Sequence, residues 1–160
     1  MAQLYRQSDP RWARKIVGFG SGVYQSFQYV GCVVTALTYL LNSTFGYNHT
    51  PDQVNDKLKA VRAFTGAAIL WARVPLAFPE LKWYWRDYNW NPLVNVAVRI
   101  WILINPKVPV LAEVYEPASI TKKHWVLMLG NQKFYNSING RIQPTSDYKN
   151  YTGAARFGRA

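Results

Sequence analysis

Residues Tyr29–Asn42 read YVGCVVTALTYLLN. Val33, Ala36, Leu37, Leu40 and Leu41 recur at i, i+3, i+4, i+7 and i+8, the spacing of one apolar helix face. The spacing predicts a helix from Cys32 to about Asn42, with Gly46 marking the loop beyond. Cys32 is the only cysteine in the chain and opens this helix directly after Gly31. Two readings compete. Free cysteines are commonly small, inert hydrophobes of a core. A cysteine at a helix N-terminus, however, faces unpaired N–H groups and the positive end of the macrodipole, which favour its thiolate. Gly31 permits close backbone approach. Position alone leans to the core.

On either side the pattern is legible. Residues 1–28, with SDPRW and GFGSG, read as an N-terminal arm and loop that wraps the domain. Thr50, Pro51 and Gln53 form a capping-box start for a second helix. Val54, Leu58 and Val61 are its buried stripe, and Asp52, Asp56, Lys57 and Lys59 its solvated face. Gly66 interrupts the pattern, and another helix is expected from Ala67 to Val74, before Pro75 and Pro79. In the aromatic block LKWYWRDYNW (81–90), alternating Trp83 and Trp85 suggest a strand. This block, with Tyr88 and Trp90, is read as core and sheet packing, with groove lining as the alternative. Asn91-Pro92 is another cap-plus-proline start. The run to Ile104 alternates like a strand through Val94, Val96, Val98, Ile100 and Ile102, but Leu93, Ala97, Ile100, Trp101 and Ile104 also fit a helix. Its start and length favour a buried helix.

The remainder reads as β. Val108–Tyr115 and His124–Leu129 are strands, and Gly130-Asn131-Gln132 turns the second back into Lys133–Asn136. Asn139-Gly140 signals a further turn. The tail is expected to add an edge strand at Ala154–Phe157. Helices first and an antiparallel sheet after them define an α+β domain spanning residues 1–160.

Composition narrows the function classes. The chain is 49% hydrophobic and 17% charged, a globular balance. Its net charge of +11 draws it toward polyanions such as nucleic acid, anionic membrane or wall polymers, without choosing among them. Nucleic-acid binding would rest on charge alone, since no binding motif accompanies it. One cysteine excludes an internal disulfide and a cysteine-based zinc site, so no metal or cofactor is expected. No run is apolar enough for a membrane span. The N-terminus has no apolar core of a signal peptide, so the chain is expected to be made in a host cytoplasm.

A cysteine nucleophile needs a histidine partner and donors for the oxyanion. His49, in YNHTP, reads as an exposed loop residue. His124 opens the strand HWVLML and is expected to point at whatever packs over the sheet; if the Cys32 helix packs there, the two meet. Asn136, at the end of the strand that hairpins with it, is within reach to orient the imidazole.

These residues carry a resemblance. GC at a helix start, HW on a strand and a Tyr-Asn…Asn-Gly element resemble the C39-like group of papain-fold cysteine peptidases, with phage and prophage members closest. SDPRWA, GCVVTALTYLLN, TPDQVNDKLKA, VPVLAEV, HWVLMLG and YNSINGR follow in the order such domains show, from about residue 3 to 157. The resemblance implies a papain-like fold, Cys32 as nucleophile and His124 as general base. Asn136 stands where the family usually has an aspartate, its DP…G element reading NS…G here; papain-type enzymes use asparagine in this role. The oxyanion donors would be the Cys32 N–H and an upstream glutamine, Gln25 or Gln28; Ser26 holds the usual papain-like spacing. The implied activity is cleavage of a peptide or amide bond, with a crosslink in bacterial peptidoglycan as the candidate substrate and a phage virion as the carrier. The alternative is a catalytically decayed domain that serves a virion structurally, among other phage proteins.

Overall fold

The computed structural model describes residues 1–87 and 92–160. The helices are α1 (Phe27–Val30), α2 (Cys32–Phe45), α3 (Pro51–Ala60), α4 (Val74–Ala77) and α5 (Pro92–Leu103). A small hairpin pairs β1 (Phe64–Thr65) with β2 (Ala68–Ile69). The main sheet is antiparallel, in the order β3-β8-β4-β5-β6-β7. Its strands are β3 (Leu81–Asp87), β4 (Val110–Tyr115), β5 (Lys123–Gly130), β6 (Lys133–Asn136), β7 (Arg141–Pro144) and β8 (Tyr151–Arg159). The class is α+β, with α1–α4 before most of the sheet.

α2 is the centre of the fold. Cys32 and every residue from Val34 to Leu41 are buried, so the helix is enclosed on all sides and its apolar character is not confined to one stripe. It packs against β5, and Leu37, Leu40 and Leu41 share a cluster with Leu111, Leu127 and Phe157 of the sheet. It runs one turn beyond Asn42 to Phe45, where Gly46 (φ 76°) caps it in the left-handed conformation and donates its N–H to Leu41 O. α3 starts as its sequence dictates: Pro51 opens it, and Gln53 Oε1 accepts the Thr50 N–H at 3.0 Å.

The arm wraps the body. Trp12 is 1% exposed and donates to Arg6 O at 2.9 Å. Tyr5 is buried against it, and Arg11 lies 4.5 Å over the Trp12 ring. Buried Asn55 of α3 ties the following loop down, accepting from Gly18 N–H at 2.8 Å and donating to Ile16 O at 3.2 Å.

Four expectations need correction. Residues 67–74 are not a helix. Gly66 (φ 57°) turns the chain into the β1–β2 hairpin, and a 3₁₀ turn at Trp71–Arg73 leads into α4, which contains Pro75. α5 is helical but not buried. Val98 and Trp101 alone are buried among its described side chains, while Val96, Ile100, Leu103 and Ile104 are exposed. The Asn91 cap lies outside the described residues. The tail strand is longer than expected and interior, pairing with β3 on one side and β4 on the other. His49 is half-buried, packed against Tyr47 and Phe78.

β3 shows how a local irregularity redirects side chains. Strict alternation would place Trp83 and Trp85 on one face. A bulge between them sends Trp83 toward Trp71 (5.9 Å between ring centres) and Trp85 toward Trp101 (5.5 Å), on opposite faces of the sheet.

Candidate active site

Cys32 and His124 line one cavity of about 530 Å³. They reach it by different routes. Cys32 belongs to the apolar cluster on the α2 face of the sheet, along with Trp125. His124 pairs with Val114, whose side chain lies in the cluster beneath α5, so the imidazole stands on that opposite face. The expectation that the histidine points at the overlying α2 is therefore corrected. The two residues approach at the end of β5, where the thiol of Cys32 is influenced by the backbone N–H of Trp125, the residue next to His124. Among the described residues no hydrogen bond joins the sulfur to the imidazole.

The imidazole is held by a chain of side-chain amides. His124 Nε2 lies 2.9 Å from Asn136 Oδ1, which also accepts the Ile138 N–H at 2.9 Å. Asn136 Nδ2 donates to Gln143 Oε1 at 2.9 Å, and Gln143 Nε2 donates to Asp147 Oδ2 at 2.8 Å. Each link fixes the polarity of the next. Asp147 accepts only, so Gln143 presents its oxygen to Asn136, and Asn136 presents its oxygen to the ring. The neutral imidazole thus carries its proton on Nε2 and keeps a lone pair on Nδ1. The same polarity suits asparagine at this position. An aspartate here would set an oxygen against Gln143 Oε1, acceptor against acceptor.

Electrostatics set the resting state. Burial pushes the Cys32 thiol up to about 11; the amides of Trp125, Val33 and Cys32 itself pull the other way, and the Glu113 carboxylate adds to the rise. Burial pushes His124 down to about 4, against the Asn136 hydrogen bond and the charge of Glu116. At neutral pH the pair is therefore thiol and neutral imidazole. The lone pair on Nδ1 is thus open to accept a proton.

The upstream candidates separate. Gln25 is turned away, its Oε1 accepting the Ser21 N–H at 2.7 Å, and does not line the cavity. Ser26 is buried with its hydroxyl on Val23 O at 2.6 Å. Gln28 does line the cavity.

Sequence reasoning missed Gln7. This arm residue is buried and reaches across to both sides of the site. Its Nε2 donates to Gln28 O at 3.1 Å, its Oε1 accepts from Ser137 Oγ at 3.1 Å, and its N–H bonds Ser137 O at 2.8 Å. In an uninterrupted helix Gln28 O would accept the Cys32 N–H. Gly31 interrupts the helix there, and the Cys32 N–H faces its own thiol, on which it acts together with the amides of Val33 and Trp125. Nothing local marks a glutamine in an arm for bridging the site; it needs the arm to be folded back. Gln7→Ala should lower stability by about 1 kcal/mol or more, since it removes the partner of the buried Ser137 hydroxyl and of Gln28 O. Denaturant unfolding would show it, and an unchanged midpoint would refute it.

Among the described residues no group of three histidine, cysteine or acidic side chains could hold a metal, and no helix is long and apolar enough to cross a membrane. No protein-family model, curated protein or solved structure matches the chain.

Proposed function

We propose that this protein is a cysteine hydrolase of the C39-like, papain-like type, cleaving a peptide or amide bond by acyl transfer through Cys32. The observation that carries the reading is the His124–Asn136 hydrogen bond beside a helix-opening cysteine, at one cavity. His124 Nδ1 takes the thiol proton as the sulfur attacks the carbonyl carbon. The oxyanion receives the Cys32 N–H and the Gln28 side-chain amide. The tetrahedral adduct collapses to a thioester as Nδ1–H protonates the leaving amine. Water deprotonated by Nδ1 then hydrolyses the thioester and returns the thiol. A crosslink in bacterial peptidoglycan is the proposed substrate and a phage virion the proposed carrier, supported by the +11 charge, which suits an anionic wall.

Alkylation by iodoacetamide at pH 7 tests the dyad before any substrate is known. Cys32 should be labelled at a rate that falls about tenfold or more in His124→Ala. Labelling that ignores His124 would reject the mechanism.

A second reading is supported by α5. Val96, Ile100, Leu103 and Ile104 form an exposed aliphatic stripe, as a structural component of a particle would present to a neighbouring protein. In that reading the papain-like domain is catalytically silent. His124-independent labelling, with no turnover of peptidoglycan by either the protein or its Cys32→Ala variant, would favour it.

A further inference from the structure

The cavity beside Cys32 has a charged wall that acyl transfer does not use. Glu113 on β4 faces Trp125 across the strand pair, and its side chain is only 6% exposed. Its Oε2 lies 3.5 Å from the Arg86 guanidinium. Its Oε1 lies 3.1 Å from Lys123 Nζ and accepts from Thr152 Oγ1 at 3.0 Å. Arg86 also stands 5.2 Å over the Trp125 ring, and the Trp71 ring lies 5.1 Å from that of Trp125, tilted at 49°. Glu113, Arg86, Lys123, Trp71 and Trp125 all line the cavity together with Cys32 and His124.

Among the described residues lining the cavity, Glu113 is the one carboxylate and Arg86 and Lys123 are the cations. Both Glu113 oxygens are engaged, so a cationic group entering the cavity would have to compete with Arg86 or Lys123 for them. An anionic group can instead take the Lys123 donors that Glu113 leaves. The Lys123 ammonium carries three donors, one of them on Glu113, and its side chain is 47% exposed. Glu113 thus serves as a bracket that holds the cations at the cavity, beside the indoles of Trp71 and Trp125.

We propose that Lys123 and Arg86, braced by Glu113, form a carboxylate-recognition subsite that selects substrates bearing a carboxylate beside the scissile amide. This deepens the hydrolase reading and rests on it. A free carboxylate near a peptide crosslink, or the side chain of an acidic residue, has the required chemistry.

Iodoacetate and iodoacetamide are close in size and differ in charge, so the ratio of their rates at Cys32 reports the subsite. Lys123→Gln should lower the iodoacetate-to-iodoacetamide ratio roughly five- to tenfold, and Lys123→Glu further. Lys122→Gln is the control, because Lys122 lies outside the cavity with its ammonium on Pro117 O; its ratio should stay at the wild-type value. A ratio unmoved by Lys123→Gln, or lowered equally by Lys122→Gln, overturns the subsite and leaves the hydrolase reading standing. If neither reagent reacts faster with the wild type than with His124→Ala, the hydrolase reading falls and the subsite with it.

Discussion

Cys32→Ala should abolish amide hydrolysis, His124→Gln should lower it about a thousandfold, and Asn136→Ala about tenfold. The grading follows from what each group does. Without the sulfur no thioester forms. Without the imidazole the thiol must ionise unaided, and its pKa of about 11 leaves only about one part in ten thousand as thiolate at pH 7. Asn136 bonds the ring and not the thiol; it fixes ring orientation and tautomer through Nε2. Its loss frees the ring without removing it. Asn136→Asp should not be an improvement, because Gln143 is held by Asp147 with its oxygen toward this position. Peptide turnover, with circular dichroism to confirm folding, measures the series. His124→Gln at wild-type activity would remove the general-base role.

Acid should destabilise the fold by about 3 kcal/mol through His124 alone. The folded-state value of about 4 lies below the ordinary histidine value of 6.5. Between those limits the unfolded chain binds a proton that the folded protein does not, so stability falls as the pH drops from about 6.5 toward 4. His49, also depressed by burial and by Lys57, adds in the same direction. Cys32 acts at the other end. Its thiol is raised from 9.0 to about 11, so the folded state keeps a proton that the unfolded chain releases, and stability falls as the pH rises through that range. Denaturant midpoints at pH 7 and pH 4.5, for wild type and His124→Gln, test the acid arm. The variant should lose distinctly less stability over that interval; equal losses would refute the assignment. The acid limb of kcat/KM should fall near pH 4, where Nδ1 becomes protonated, and not near 6.5.

Local patterns carried much of the architecture. Gly46, the Thr50-Pro51-Gln53 start and the turns at Gly130 and Gly140 act over a few residues, so they are readable one residue at a time. Boundaries failed where tertiary packing overrides propensity. The segment Ala67–Val74 looks helical, yet Gly66 at positive φ turns it into a hairpin. α5 has the apolar content of a buried helix, but only part of its surface rests on the sheet. The tail reads as an edge strand because nothing in its residues announces that β3 will pair along its far side.

The candidate site divides in the same way. Periodicity, capping and turn chemistry are local, so the residues alone specify a helix opened by the only cysteine, a histidine near the start of one strand and an asparagine ending its hairpin partner. Tertiary structure alone decided which face of the sheet receives His124, that Gln28 and not Gln25 lines the cavity, and that Gln7 arrives from the arm to occupy the Gln28 carbonyl. It also reinforced the thiol and neutral-imidazole state of the pair, since burial raises the Cys32 pKa and lowers that of His124. These are long-range properties: they depend on strand pairing and desolvation, which arise only once distant segments of chain have been packed together.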